Sequence, residues 1–233
     1  MLSNSPLSPR PIPSRHRGRG FSLIEMLVSF VVLTLFVVMG VPTMNEAMRN
    51  AEVRNAAESL YNGLLRARTE AIRLNRKVSF YTVTANDKGV LDSSCKLSSK
   101  SAAWVITVDQ GKGSNGPAGD CGASPDESAS PYIIAKWAPN DGAIHAVVQV
   151  KERDCATDAT DVHTTFDGFG RVGRNASPPM CYVVTHANGA DAARPLHVRI
   201  RGSSVSLCDP DQDLPAGDPR RCPAFAAGTE DDS

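Results

Sequence analysis

The feature that most constrains this chain is a run of apolar residues near its start. From Phe21 to Val41 it reads FSLIEMLVSFVVLTLFVVMGV. Built as an α-helix at ~1.5 Å per residue, such a run reaches ~30 Å, the depth of one bilayer core. Arg10, Arg15, Arg17 and Arg19 precede it, with no acid among residues 1–20. By the positive-inside rule those arginines stay cytoplasmic and the bulk of the chain crosses. Residues 1–20 are rich in Pro, Ser and Arg and have no apolar period, the composition of a disordered or processed leader. An ordinary secretory signal ends in a small-residue cleavage site after its apolar core, whereas this run passes straight into a further helical pattern.

One residue breaks the run. Glu25 places a carboxylate inside it, at a cost of roughly 3 kcal/mol on insertion scales, which marks it as functional. Cutting the chain between Gly20 and Phe21 would create an ammonium four residues before Glu25, on the same helix face. Carboxylate and ammonium, within one chain or between neighbours, would attract strongly in a low dielectric, partly offset by desolvation. The residues Arg19-Gly20-Phe21-Ser22-Leu23-Ile24-Glu25 resemble the class III signal of type IV pilins and type II secretion pseudopilins. The resemblance implies that a prepilin peptidase cuts after Gly20 and methylates Phe21. It implies that Glu25 docks subunits into a filament and that Pro42 kinks the helix. A kink there has its own physical reason, because proline removes an intrahelical hydrogen bond.

Beyond the run the pattern becomes amphipathic over residues 45–76. Val53, Ala57, Leu60, Leu64, Ala67, Ala71 and Leu74 recur at spacings of four and three, one face of a helix, with Arg54, Asn55, Glu58, Asn62, Arg66, Thr69 and Arg73 opposite. Such a stripe packs against a sheet. Gly63 weakens the helix by ~1 kcal/mol relative to Ala, so tertiary contacts must hold it. The phrase Ala67-Arg68-Thr69-Glu70-Ala71-Ile72-Arg73-Leu74-Asn75 resembles the helix end that feeds the first strand in the GspH/FimT family. Asn75 is read as the helix end and Val78–Thr84 as the first strand. Further runs at Trp104–Val108, Ile133–Trp137, Ala146–Val150, His163–Phe166, Cys181–Thr185, Leu196–Arg201 and Ser204–Leu207 read as strands. Gly111–Ser130 reads as a surface loop. The expected fold is α+β: a type IV pilin-like long N-terminal helix packed on antiparallel sheet. The expected order is leader 1–20, membrane or filament-core helix 21–44, and a periplasmic domain 45–233, β-rich over 77–222, with a tail 223–233.

Six cysteines, Cys95, Cys121, Cys155, Cys181, Cys208 and Cys222, lie beyond residue 90 with no C-x-x-C pair. Even number and wide spacing in an exported chain indicate disulfides rather than zinc. Fifteen pairings are possible. Cys208–Cys222 closes a short Pro/Gly/Asp loop, worth ~3 kcal/mol by loop entropy, and is the first choice; Cys95–Cys121 and Cys155–Cys181 are candidate sequential pairs, with the other pairings open. The segment from Cys208 to Cys222 also resembles the tail of FimU-type minor pilins.

Chemical motifs are sparse. Asp209, Asp211 and Asp213 alternate like the start of a calcium loop, but Leu214 and Arg220 stand where Gly and Glu are needed. Lys112-Gly113-Ser114 lacks the remainder of a phosphate loop, and neither H-E-x-x-H nor G-x-S-x-G occurs. His145, His163, His186 and His197 are scattered singly. The sequence therefore indicates no enzyme, no cofactor, no metal and no small-molecule substrate.

Charge is balanced at 25 basic and 25 acidic residues. Taking the four leader arginines from the 25 basic residues leaves 21 against 25 acidic, so there is no global pull toward nucleic acid. A local patch is the remaining route. His197, Arg199 and Arg201 alternate with Leu196, Val198 and Ile200, and Arg171 and Arg174 sit in a Gly-rich turn. Clustered arginines hold DNA phosphates without reading sequence, and the family includes DNA-binding members.

The chain reads as a minor pilin of the inner membrane. It is single-pass, with its C-terminal domain in the periplasm, and then part of a pilus with other pilins. The alternatives are a GspH-type pseudopilin of type II secretion and a pilus subunit that binds DNA for uptake.

Overall fold

The structure, a computed structural model, describes residues 21–223 except 109–115, 129, 174–177 and 216, and leaves out the side chains of residues 37–43 and 190. The leader with Gly20, the side chain of Pro42, Arg174, part of the 111–130 loop and the tail after residue 223 fall outside the described residues. The chain divides into two units, Met1–Thr43 and Met44–Ser233. A single helix, α1 (Leu23–Leu74), supplies what is described of the first unit and opens the second. It is helical through Pro42.

Among the described residues no helix is long and apolar enough to cross a membrane. Side chains of the apolar run are described over residues 21–36 only, short of the ~20 residues that a bilayer core requires.

In the second unit the end of α1 is set by Asn75. Its φ of 48° is left-handed. The Asn75 N–H donates to the Ile72 carbonyl at 3.2 Å and the Arg76 N–H to the Ala71 carbonyl at 3.2 Å. That paired reversal is the Schellman motif, which asparagine tolerates better than a branched residue.

Among the described residues eight strands follow: β1 (Val78–Thr82), β2 (Trp104–Val108), β3 (Tyr132–Trp137), β4 (Ala146–Lys151), β5 (His163–Phe166), β6 (Cys181–His186), β7 (Leu196–Arg201) and β8 (Ser204–Cys208). The alternating runs of the sequence fall on these elements. β1 stops at Thr82 rather than Thr84, because Val83 makes only an isolated bridge to Leu97. The strands form two antiparallel sheets, ordered β3-β2-β1-β5 and β4-β6-β7-β8. This is the α+β, type IV pilin-like arrangement.

One core joins the helix to both sheets. Val53, Ala57, Leu60, Leu64, Ala67 and Ala71 are fully buried, together with Phe80 from the first sheet and Tyr182 from the second. The buried alanines let the backbone of α1 approach the strands closely. Gly63 takes this furthest: a Cβ there would lie 2.8 Å from the Phe80 ring and 2.9 Å from the Trp104 ring. What costs helix propensity is thus required for packing. Phe80 meets Trp104 at 5.3 Å and Tyr182 edge-on at 6.0 Å. The Tyr182 hydroxyl shares a 2.9 Å hydrogen bond with Thr164 Oγ1 of β5, tying the two sheets. Burial raises the Tyr182 pKa far above that of a free phenol.

A second cluster, with Val83, Leu91, Val105 and Ile133, lies around the Cys95–Cys121 disulfide. Two further disulfides join Cys155 to Cys181 and Cys208 to Cys222.

Candidate assembly site

The first unit presents α1 as an apolar helix on all sides. Exposure runs from 44 % at Val32 to 83 % at Leu23, and Phe21, Ile24, Phe30 and Phe36 are exposed as well. A helix apolar all round requires lipid or other helices around it, since water penalises every face. Two of its hydroxyls are satisfied within the helix. Ser29 Oγ donates to the Glu25 carbonyl at 2.7 Å, and Thr34 Oγ1 donates to the Phe30 carbonyl at 2.8 Å. Such bonds suit a side chain that leaves water. Glu25 is the acid of the first turn and is exposed. There a carboxylate complements the partial positive charge of the helix N-terminus. An acid in this position can receive an ammonium, and the apolar surface around it can pack on its like.

Among the described residues, Arg171, Arg199 and Arg201 each donate to a partner within the chain. Arg171 is held at the tip of the β5–β6 connection. Its Nε and Nη2 donate to Asp167 Oδ2, each at 3.1 Å, and its guanidinium lies 5.1 Å from the centroid of the exposed Phe169 ring. Asp167 also accepts the Phe169 and Arg171 amides, each at 2.9 Å, so this acid organises the turn. The sequence reading passed over Asp167, although Asp-Gly-x-Gly-Arg is a turn signal.

Arg199, one of the cations that the sequence offers for holding phosphate, is only 3 % exposed. β7 lies between β6 and β8, with Val198 and Ile200 on the core. Its opposite face is partly covered, at Arg199, by the segment closed by Cys208–Cys222. His197, Arg199, Arg221, Cys222 and Pro223 line a cavity of about 930 Å³ there. Arg199 Nη1 donates to the Pro223 carbonyl at 2.7 Å and Arg201 Nη2 to the same oxygen at 3.2 Å. Burial, then Arg201, lowers the Arg199 pKa to about 10, so it stays cationic at neutral pH. Burial, then Arg199, lowers His197 to about 4, so its imidazole is neutral at pH 7. Alternation gives the face of a strand but not what covers that face, so the burial of Arg199 is not legible in the sequence.

Asp209 and Asp211, two of the three alternating aspartates, face an arginine. Arg194 Nη1 lies 3.8 Å from Asp209 Oδ2, and its Nη2 lies 3.8 Å from Asp211 Oδ2.

Comparison with known proteins bears on both units. A family described as a prokaryotic N-terminal methylation motif matches residues 15–41, and one described as type II transport protein GspH matches residues 56–206. No curated protein matches the chain. Among solved structures the chain is similar to the type IV minor pilin FimU of Pseudomonas aeruginosa in two crystal forms. One is 21 % identical, covering 67 % of this chain and 87 % of that one, with a TM-score of 0.35. The other is 19 % identical, covering 66 % and 90 %, with a TM-score of 0.34. With the family match running over more than half its length behind a methylation motif, the chain belongs to the GspH family of pilin-like proteins.

Proposed function

We propose that this chain is a structural minor pilin that joins a type IV pilus and catalyses no reaction. One observation carries the reading: an uncovered, all-round apolar helix stretch whose first turn holds the acid Glu25, lying within the methylation motif. In this reading prepilin peptidase cuts after Gly20 and methylates Phe21. Before assembly the helix sits in the inner membrane with the second unit in the periplasm. In the filament its apolar surface packs on other pilins, and Glu25 neutralises the terminal ammonium of a neighbour. The FimU-like character of the Cys208–Cys222 segment favours the pilus.

A second reading is a pseudopilin of type II secretion, favoured by the description of the family that matches residues 56–206. Both readings share the processing and the helix contact.

Mass spectrometry of the native product should give an N-methylated chain starting at Phe21. Glu25→Ala should be processed normally yet be depleted from sheared filaments by tenfold or more, since a buried ammonium without its partner is strongly disfavoured. Normal filament entry of Glu25→Ala would remove the assigned role.

A further inference from the structure

Three side chains of metal-binding type meet in the second unit, away from the apolar helix stretch. Glu52 comes from α1, His145 from the residue before β4, and His186 from the end of β6. One donor atom from each lies within 4.8 Å of the other two. His145 Nδ1 is 3.2 Å from both Glu52 oxygens, and His186 Nε2 is 3.9 Å from Glu52 Oε2. The His145 backbone N–H also donates to Glu52 Oε2 at 3.1 Å, fixing the carboxylate. The two imidazole rings lie 5.8 Å apart.

We propose that Glu52, His145 and His186 bind one zinc-class divalent cation, with the remaining position left to water. This inference does not depend on the filament role.

The donor set selects the metal. Two imidazoles and one carboxylate suit Zn²⁺ and its borderline neighbours, whereas Mg²⁺ and Ca²⁺ want oxygen alone. Ligands at about 2.0–2.2 Å in a tetrahedron stand about 3.3–3.6 Å apart. The Glu52–His145 edge, at 3.2 Å, is close to that length; the Glu52–His186 edge, at 3.9 Å, must shorten by a few tenths of an ångström, and the two imidazole donors must close from within 4.8 Å. His186 is 5 % exposed, which anchors one ligand firmly, and His145 is exposed, which gives the ion an entry path.

Binding also moves a proton. As the residues stand, the Asn188 N–H donates to His186 Nδ1 at 3.1 Å, so the ring proton sits on Nε2 beside Glu52. A cation on Nε2 displaces that proton to Nδ1, and the Asn188 amide must then turn to another acceptor. This cost limits the affinity, and it gives the site its own spectroscopic mark.

The test uses the full chain in detergent, stripped with chelator and titrated with ZnCl₂. One equivalent should bind saturably and raise Tm, while MgCl₂ should not. Co²⁺ should give the intense visible bands of a tetrahedral centre. His145→Ala, a change at an exposed ring, should keep the fold by circular dichroism and raise Kd for Zn²⁺ about tenfold or more. Glu52→Gln should do the same. In the parent chain the Asn188 amide resonance should shift on titration. Absence of saturable uptake, or uptake unchanged in His145→Ala, overturns the proposal.

Discussion

The two stretches of α1 show how one helix can be written for two different surroundings. Over residues 53–71 its buried positions alternate between small and branched: Ala56, Ala57, Ala67 and Ala71 beside Val53, Leu60 and Leu64, all at 0 % exposure. The chain's own sheets cover this stripe, and the polar residues opposite it face water. Over residues 23–36 large side chains occupy every face, and none is covered among the described residues. The difference lies in patterning more than in hydrophobicity. A stripe matches a sheet supplied by the same chain, whereas an unpatterned apolar surface anticipates surroundings supplied by lipid or by other helices.

The contrast can be broken by paired substitutions. Leu60→Ala should cost about 2–5 kcal/mol in chemical unfolding of the full chain in detergent, by lost transfer energy and a residual cavity. Leu33→Ala, at 58 % exposure, should leave that unfolding transition unchanged. Equal losses at both sites would mean that the chain itself covers the first stretch.

A smaller effect tests how tightly the second unit is sealed. His197 has its pKa lowered to about 4, so the unfolded state binds more protons between about pH 6.5 and pH 4. Stability is therefore full above pH 6.5 and falls as pH drops through that window. The full shift is discounted for partial solvent access, leaving about 2 kcal/mol. Urea unfolding at pH 7 and pH 4 should show the loss, and His197→Gln should flatten it.

The smallest change is Gly63→Ala. Overpacking against Phe80 and Trp104 costs about 1–3 kcal/mol, and the gain in helix propensity returns up to about 1. A net loss of about 1 kcal/mol is expected by thermal unfolding. A stabilised variant would show that the aromatic rings give way and that the close approach is not required.

Much of this architecture is written locally and is therefore legible in the sequence. The stripe of α1 appears in the spacing of Leu60, Leu64, Ala67 and Ala71. The helix stop at Asn75 follows from the tolerance of asparagine for a left-handed backbone. The strands show in their alternation. What is not legible depends on long-range pairing. The division into two sheets needs partners such as Val78 with Phe166, far apart in the chain. Burial of Arg199 depends on a loop that begins after β8. Glu52 and His145 stand 93 positions apart, and each looks like an isolated surface residue until the fold joins them. The position of Glu25 is the exception: a lone acid in a greasy run stands out without any partner in view.

The Schellman turn at Asn75 has a mechanical consequence. Only Asn75, Arg76 and Lys77 separate the last residue of α1 from β1, and they form a tight, hydrogen-bonded reversal rather than slack chain. Tension in α1 that its packed stripe does not take up therefore passes directly into β1. β1 is flanked on both sides, by β2 and by β5, so two hydrogen-bonded ladders share the load.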